Sequence, residues 1–130
     1  MNGSFPFGAM LAVAAGSALG GCLRFGVGLW LNPRLSVFPL GTLVVNCVGG
    51  LLVGAALVVF ERWSAEGWRL FLVIGVLGGL TTFSTFTAES LLMLQRGQGL
   101  HAAAHSLAHV FGALGCATLA FWLLRGWLRA

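Results

Sequence analysis

The run Gly78-Gly79-Leu80-Thr81-Thr82-Phe83-Ser84-Thr85-Phe86-Thr87 places five hydroxyl side chains in the seven positions 81 to 87. Glycine costs a helix about 1 kcal/mol against Ala, and Ser and Thr compete for backbone hydrogen bonds. Packing alone does not call for so many hydroxyls, so the run reads as a break in a helix. The competing reading is a continuous helix softened by small residues. A break frees carbonyl oxygens between Gly78 and Thr81. The nearest carboxylate, Glu89, lies two turns on. Neutral oxygens without a carboxylate suit one monovalent hard cation rather than Ca²⁺ or Zn²⁺.

Other residues offer chemistry to an anion. Phe83 and Phe86 are three apart, on nearly one helix face, and a ring edge carries positive potential. Two such edges along a narrow path can hold a dehydrating anion without trapping it; ordinary packing is the alternative. Asn46 is the sole Asn or Gln deep in an apolar run, four residues after Thr42. It serves either as interhelical glue, worth ~0.6 to 2 kcal/mol in a membrane, or as an N–H donor to a small hard anion. Thr42 and Ser84 are weaker donors for the same polar track, replacing hydration in pieces. Arg24 is the most deeply placed cation, and a guanidinium that snorkels to a pore mouth still attracts anions. A bare carboxylate is adverse to an anion, so Glu89 is expected in a paired, structural role.

His101, His105 and His109 recur every four residues. A His pair at that spacing can ligate Zn²⁺, but no carboxylate or cysteine is near in sequence, Cys116 being two turns further, so metal is not expected. A neutral imidazole offers a passing anion one N–H donor. Its ordinary pKa near ~6.5 places its charge change within the working range. Cys22, Cys47 and Cys116 are odd in number and lie in apolar runs, so they read as small hydrophobes without a disulfide.

These residues must be positioned by elements that lie in lipid. Of 130 residues 58% are hydrophobic and 8% charged, and the mean hydropathy is +0.97. Soluble chains average about 25% charged residues. The net charge of +4 sits between apolar runs, which argues for membrane topology and against nucleic acid. Four continuous runs fit one four-span membrane domain: residues 8–31, 39–60, 69–94 and 101–124. Their continuity favours helices over the alternating strands of a barrel. Asn32-Pro33-Arg34 and Gln95-Arg96-Gly97 read as stops, and Pro39 suits a helix start. No Arg or Lys precedes Arg24, so the first run is not read as a signal peptide. Gly16/Gly20, Gly50/Gly54, Gly75/Gly79 and Ala104/Ala108/Gly112 have the spacing of close helix packing. Arg62, Arg69, Arg125 and Arg129 on one side oppose Arg34, Arg96 and the inset Arg24 on the other. So thin a bias allows both orientations, and a chain inserting both ways can pair with its inverted copy.

The segments Gly78-Gly79-x-Thr81-Thr82-Phe83-Ser84-Thr85-Phe86 with Glu89, Gly41-Thr42-Leu43-x-x-Asn46-x-x-Gly49, and Gly20-Gly21-x-x-Arg24 resemble those of the fluoride channels (CrcB/Fluc). The resemblance covers all four spans. It implies an all-α membrane protein, its third helix broken near the middle, in an antiparallel dual-topology homodimer of the bacterial inner membrane. A structural Na⁺ would be held by backbone oxygens matching Gly78 and Thr81, and no organic cofactor is implied. Two fluoride pathways would involve Asn46, Phe83, Phe86, Thr42, Ser84, His105 and His109, with Arg24 in a vestibule and Glu89 structural or in the pathway. His105 and His109 depart from the hydroxyls and Tyr more common there. No nucleotide motif is present, so fluoride export would be passive. No acidic orienter accompanies Ser, Thr and His, so an enzyme is not expected. The alternative is a small dual-topology multidrug/proton antiporter, which needs a membrane carboxylate that the first two spans lack.

Overall fold

An apolar run in lipid has no water for its backbone, so each amide must bond within its own helix. The computed structural model describes residues 6–32 and 38–129, all helical or connecting; Pro33 and Arg34 lie outside the described residues. In chain order the elements are α1 (Phe7–Leu31), α2 (Leu40–Arg62), α3 (Glu66–Arg69), a π-wound segment (Leu70–Leu77), α4 (Gly78–Leu80), α5 (Phe83–Gln95) and α6 (Gly99–Trp127). They make four helices long and apolar enough to cross a membrane, the third being Glu66–Gln95. The chain is thus a multi-pass, all-helical membrane protein. The helices overrun the apolar counts where polar groups reach the interface. Arg69 pairs with Glu66 at 2.8 Å, and Arg62 Nη2 donates to the Leu128 carbonyl at 2.9 Å. Trp63, Trp68 and Trp127 stand exposed at that same end of the bundle, where amphipathic rings favour the headgroup level.

The ends of the helices have local causes. Asn32 Oδ1 accepts from the Gly41 amide at 2.8 Å, satisfying an otherwise orphan donor in the first turn of α2. At the end of α5, Gly97 takes φ +72°, the Gly97 amide donates to Leu94 O and the Gln98 amide to Met93 O. This is a Schellman stop, which glycine enters without a Cβ penalty. It folds α5 back against α6 as a hairpin.

Small residues decide which spans touch. A Cβ at Gly16 would strike the Phe71 carbonyl, one at Gly20 the Val76 carbonyl, and one at Gly79 the Ser17 backbone, so spans one and three meet backbone to backbone. Spans two and four meet likewise, Gly50 against Ala113 and Gly54 against Ala117. The stripe expected at Ala104 and Ala108 is displaced. Ala104 is exposed, and the packed row of α6 runs through Ala102, His105 and His109 to Gly112, Ala113 and Ala117. Its phase is set by what α2 presents. Val45, Leu77 and Leu80 form the apolar centre, flanked by Val27 and Val53.

Candidate functional site

The helical path of the third span is interrupted at two residues. Thr81 has φ −80°, ψ 153° and Thr82 φ −151°, ψ 124°, both extended. Thr81 still closes the preceding turn, its amide and its hydroxyl both donating to Leu77 O at 3.0 and 2.8 Å. The Thr82 amide instead turns to Asn46 Oδ1 at 2.8 Å, while Asn46 Nδ2 donates to Thr82 O at 3.0 Å. One side-chain amide thereby satisfies both backbone groups of a non-helical residue. Thr82 Oγ1 then accepts from the Thr85 amide at 3.2 Å, an N-cap that restarts the helix. In a continuous helix the Thr82 and Thr85 amides would serve the Gly78 and Thr81 carbonyls. Both amides point elsewhere, which frees those two oxygens for another partner and fits a monovalent cation. The Gly79 carbonyl is occupied by Arg24 Nε at 3.1 Å.

From Asn46 a polar cluster extends between α2, α5 and α6. The Thr82 amide can only donate, so it orients the Asn46 amide, and the remaining Nδ2 proton goes to His109 Nδ1 at 3.1 Å. A neutral His109 in this network carries its own proton on Nε2. Thr42 Oγ1 donates to Glu89 Oε1 at 2.6 Å, and Glu89 Oε2 lies 3.4 Å from His105 Nε2. Ser90 Oγ is 3.0 Å from His105 Nδ1. The two imidazole centroids are 4.4 Å apart, with Phe86 stacked over His105 at 5.5 Å and against His109 at 4.7 Å. Phe38 meets His105 edge-on at 5.1 Å. His105 is fully buried and His109 is 5% exposed, so neither imidazole is a surface group.

Two openings adjoin this cluster. A cavity of about 530 Å³ is lined by Arg24, Thr42, Thr82 and Thr85, and a groove of about 660 Å³ by Asn46, Thr82, Phe83, Phe86 and His109. Thr82 borders both. Gly78 and Thr81 also line the groove. The Phe83 and Phe86 rings lie 5.2 Å apart, the first 77% exposed and the second 9%. Ser84 is exposed, its Oγ 3.2 Å from Thr82 Oγ1, and lines neither opening.

The structure thus gathers Thr42, Asn46, Phe86, Glu89, His105 and His109, and sets Arg24 on the other side of Thr82. The carboxylate that sequence proximity denied to the histidines is present: Glu89 and His105 are equidistant from Gly97 and meet across the hairpin. Position relative to that stop is the signal that finds the pair. Thr82, Ser90 and Phe38 are partners that sequence reasoning did not single out. Only Ser90 carries a comparable signal, being one residue from the hairpin position of Glu89.

A family model described as CrcB-like protein, Camphor Resistance (CrcB), matches residues 11–121. A protein of Thiobacillus denitrificans named fluoride-specific ion channel FluC is 45% identical over 123 residues, covering 90% of this chain and 96% of its own length. A protein of the same name from Aromatoleum aromaticum is 46% identical over 121 residues, 92% of each chain. Another, from Pseudomonas aeruginosa, is 49% identical over 107 residues, 81% of this chain and 84% of its own length.

Proposed function

The chain belongs to the CrcB family, and from that premise we propose that it is a fluoride channel of a bacterial membrane, a conduit and not an enzyme. The observation that carries this reading is the groove, in which an amide, two phenylalanine rings and an imidazole share one opening beside non-helical backbone. The names of its relatives agree with it. Fluoride passes down its gradient and leaves the cell. Arg24 raises anion concentration in the cavity it lines, where the Thr85 hydroxyl replaces hydration and Thr42, its proton given to Glu89, lines the wall. Phe83 and Phe86 present ring edges, and His109 supplies an N–H donor, the two Nδ2 protons of Asn46 being given to Thr82 O and His109 Nδ1. Asn46 also holds Thr82 extended. Glu89 is kept from the anion by its bond to Thr42; this engagement also weighs against the antiporter, which needs a carboxylate free to exchange protons.

The functional unit is an antiparallel pair of copies with two pathways. Gly78 and Thr81 would hold a structural Na⁺ through their carbonyl oxygens, and that ion would supply the charge that pins the two extended segments together. Purified protein in liposomes is expected to release fluoride far faster than chloride. Equal rates, or transport only of cationic dyes coupled to protons, would overturn the assignment. A tag on the C-terminus should be labelled from both faces of the membrane; one-sided labelling contradicts the antiparallel pair.

A further inference from the structure

His105 and His109 on α6 and Glu89 on α5 each direct a ligand atom to one point, these atoms lying within 4.8 Å of one another. The buried side-chain atoms left without a hydrogen bond among the described residues are Glu89 Oε2, His105 Nε2 and His109 Nε2. Leaving one such atom unpaired is costly, and three that converge call for a shared partner. We propose that this partner is a divalent transition-metal ion of the Zn²⁺ class, bound by Glu89, His105 and His109.

The geometry favours it. Ligands ~2.0–2.2 Å from a tetrahedral ion stand about 3.4 Å apart, and Glu89 Oε2 and His105 Nε2 are already 3.4 Å apart. Two imidazoles and one carboxylate are a borderline donor set, suited to Zn²⁺ rather than to Mg²⁺, Ca²⁺ or Cu⁺, and they leave a fourth position open. The outer partners are in place for two ligands. Thr42 occupies Glu89 Oε1 and leaves Oε2 free, and Ser90 Oγ stands ready to accept from His105 Nδ1–H. His109 is the strained member. To ligate through Nε2 it must carry its proton on Nδ1, which faces the Asn46 amide group that now donates to it. Metal binding therefore opposes the Asn46 clamp on Thr82, and a carboxylate at position 46 would remove the conflict by accepting from Nδ1–H.

The site stands on its ligands alone, and neither readout below uses flux, so it survives or fails separately from the channel reading; a bound ion takes the His109 Nε2 that donates to fluoride in the metal-free chain. Zn²⁺ is titrated into the purified, tag-free chain in detergent by calorimetry and again with Cys22, Cys47 and Cys116 replaced by Ala. One Zn²⁺ per chain is expected in both. Glu89→Gln, His105→Ser and His109→Ser should each weaken binding by about 10-fold or more, and Asn46→Asp should tighten it by about 10-fold. The X-ray absorption spectrum of the wild-type complex should show N and O ligands with no sulfur, which tests the site even where a variant fails to fold. Absence of stoichiometric binding, unchanged affinity in the three ligand variants, weaker binding in Asn46→Asp, or sulfur ligation would overturn the proposal.

Discussion

Along a single seam, α2 and α6 meet in two ways. At one end Gly54 faces Ala117 and Gly50 faces Ala113; one turn on, Asn46 faces His109, and beyond it Thr42 and His105 share Glu89. The residues follow four-residue rows on both helices, and facing pairs keep the same offset of 63 as at Asn46 and His109. The two spans therefore run parallel. The small half excludes every side chain and specifies the contact by volume. The polar half admits side chains and specifies it by donor and acceptor. Close approach at Gly50 and Gly54 brings Asn46 within reach of His109, so the dry half positions the wet one, while Gly49 against Thr81 brings Asn46 to Thr82.

The largest effect should come from breaking the dry half. A methyl at Gly50 or Gly54 strikes the Ala113 or Ala117 carbonyl, backbone that cannot turn aside. Overpacking costs about 1–3 kcal/mol, occasionally more, so Gly50→Ala plus Gly54→Ala is expected to lose most of the monodisperse peak in size-exclusion. Gly8→Ala, which meets nothing, should leave the peak intact.

Breaking the wet half should spare assembly and cost conduction. Asn46→Ala strands both backbone groups of Thr82 and one nitrogen of His109. With about 1–3 kcal/mol of that cost falling on the conducting path, fluoride efflux should fall about 5- to 160-fold with the oligomer unchanged. A fall no larger than that of a lipid-facing substitution would return Asn46 to plain packing.

A smaller loss is expected for Phe86→Ile, which removes a ring stacked on both imidazoles. Aromatic contacts are worth about 0.5–1.5 kcal/mol beyond their area, or roughly 2- to 13-fold in flux. Phe83→Ile should reduce flux without destabilising the chain, because its ring is 77% exposed. Unchanged flux in both variants would remove the ring edges from the pathway.

The smallest effect lies off the seam. Arg24→Gln keeps a donor toward Gly79 but removes the charge from the cavity. Efflux should drop only a few-fold, and the difference should shrink as salt rises and the Debye length falls toward about 3 Å at 1 M. A salt-independent loss would assign Arg24 to holding the Gly79 carbonyl instead.

Four spans, their helical nature and the stop at Gly97 were legible in the sequence, because apolar continuity, membrane thickness and the positive φ of a Schellman stop are local demands. The hydroxyl-rich run at 81–87 was legible as unusual for the same reason. Its partner was not. That Asn46 takes both backbone groups of Thr82 depends on how close α2 comes to that segment, and Gly49, which lies against the Thr81 side chain, sets it only once the third span is in place. The phase of α6 was likewise invisible: its alanines offer several small-residue stripes, and only the facing surface of α2 selects the one that buries His105 and His109. Glu89 and His105 meet because the hairpin at Gly97 pairs positions equidistant from it and Thr42 holds the carboxylate there. Helix formation in lipid is dictated residue by residue, whereas a polar group accepts whichever partner packing brings within about 3 Å.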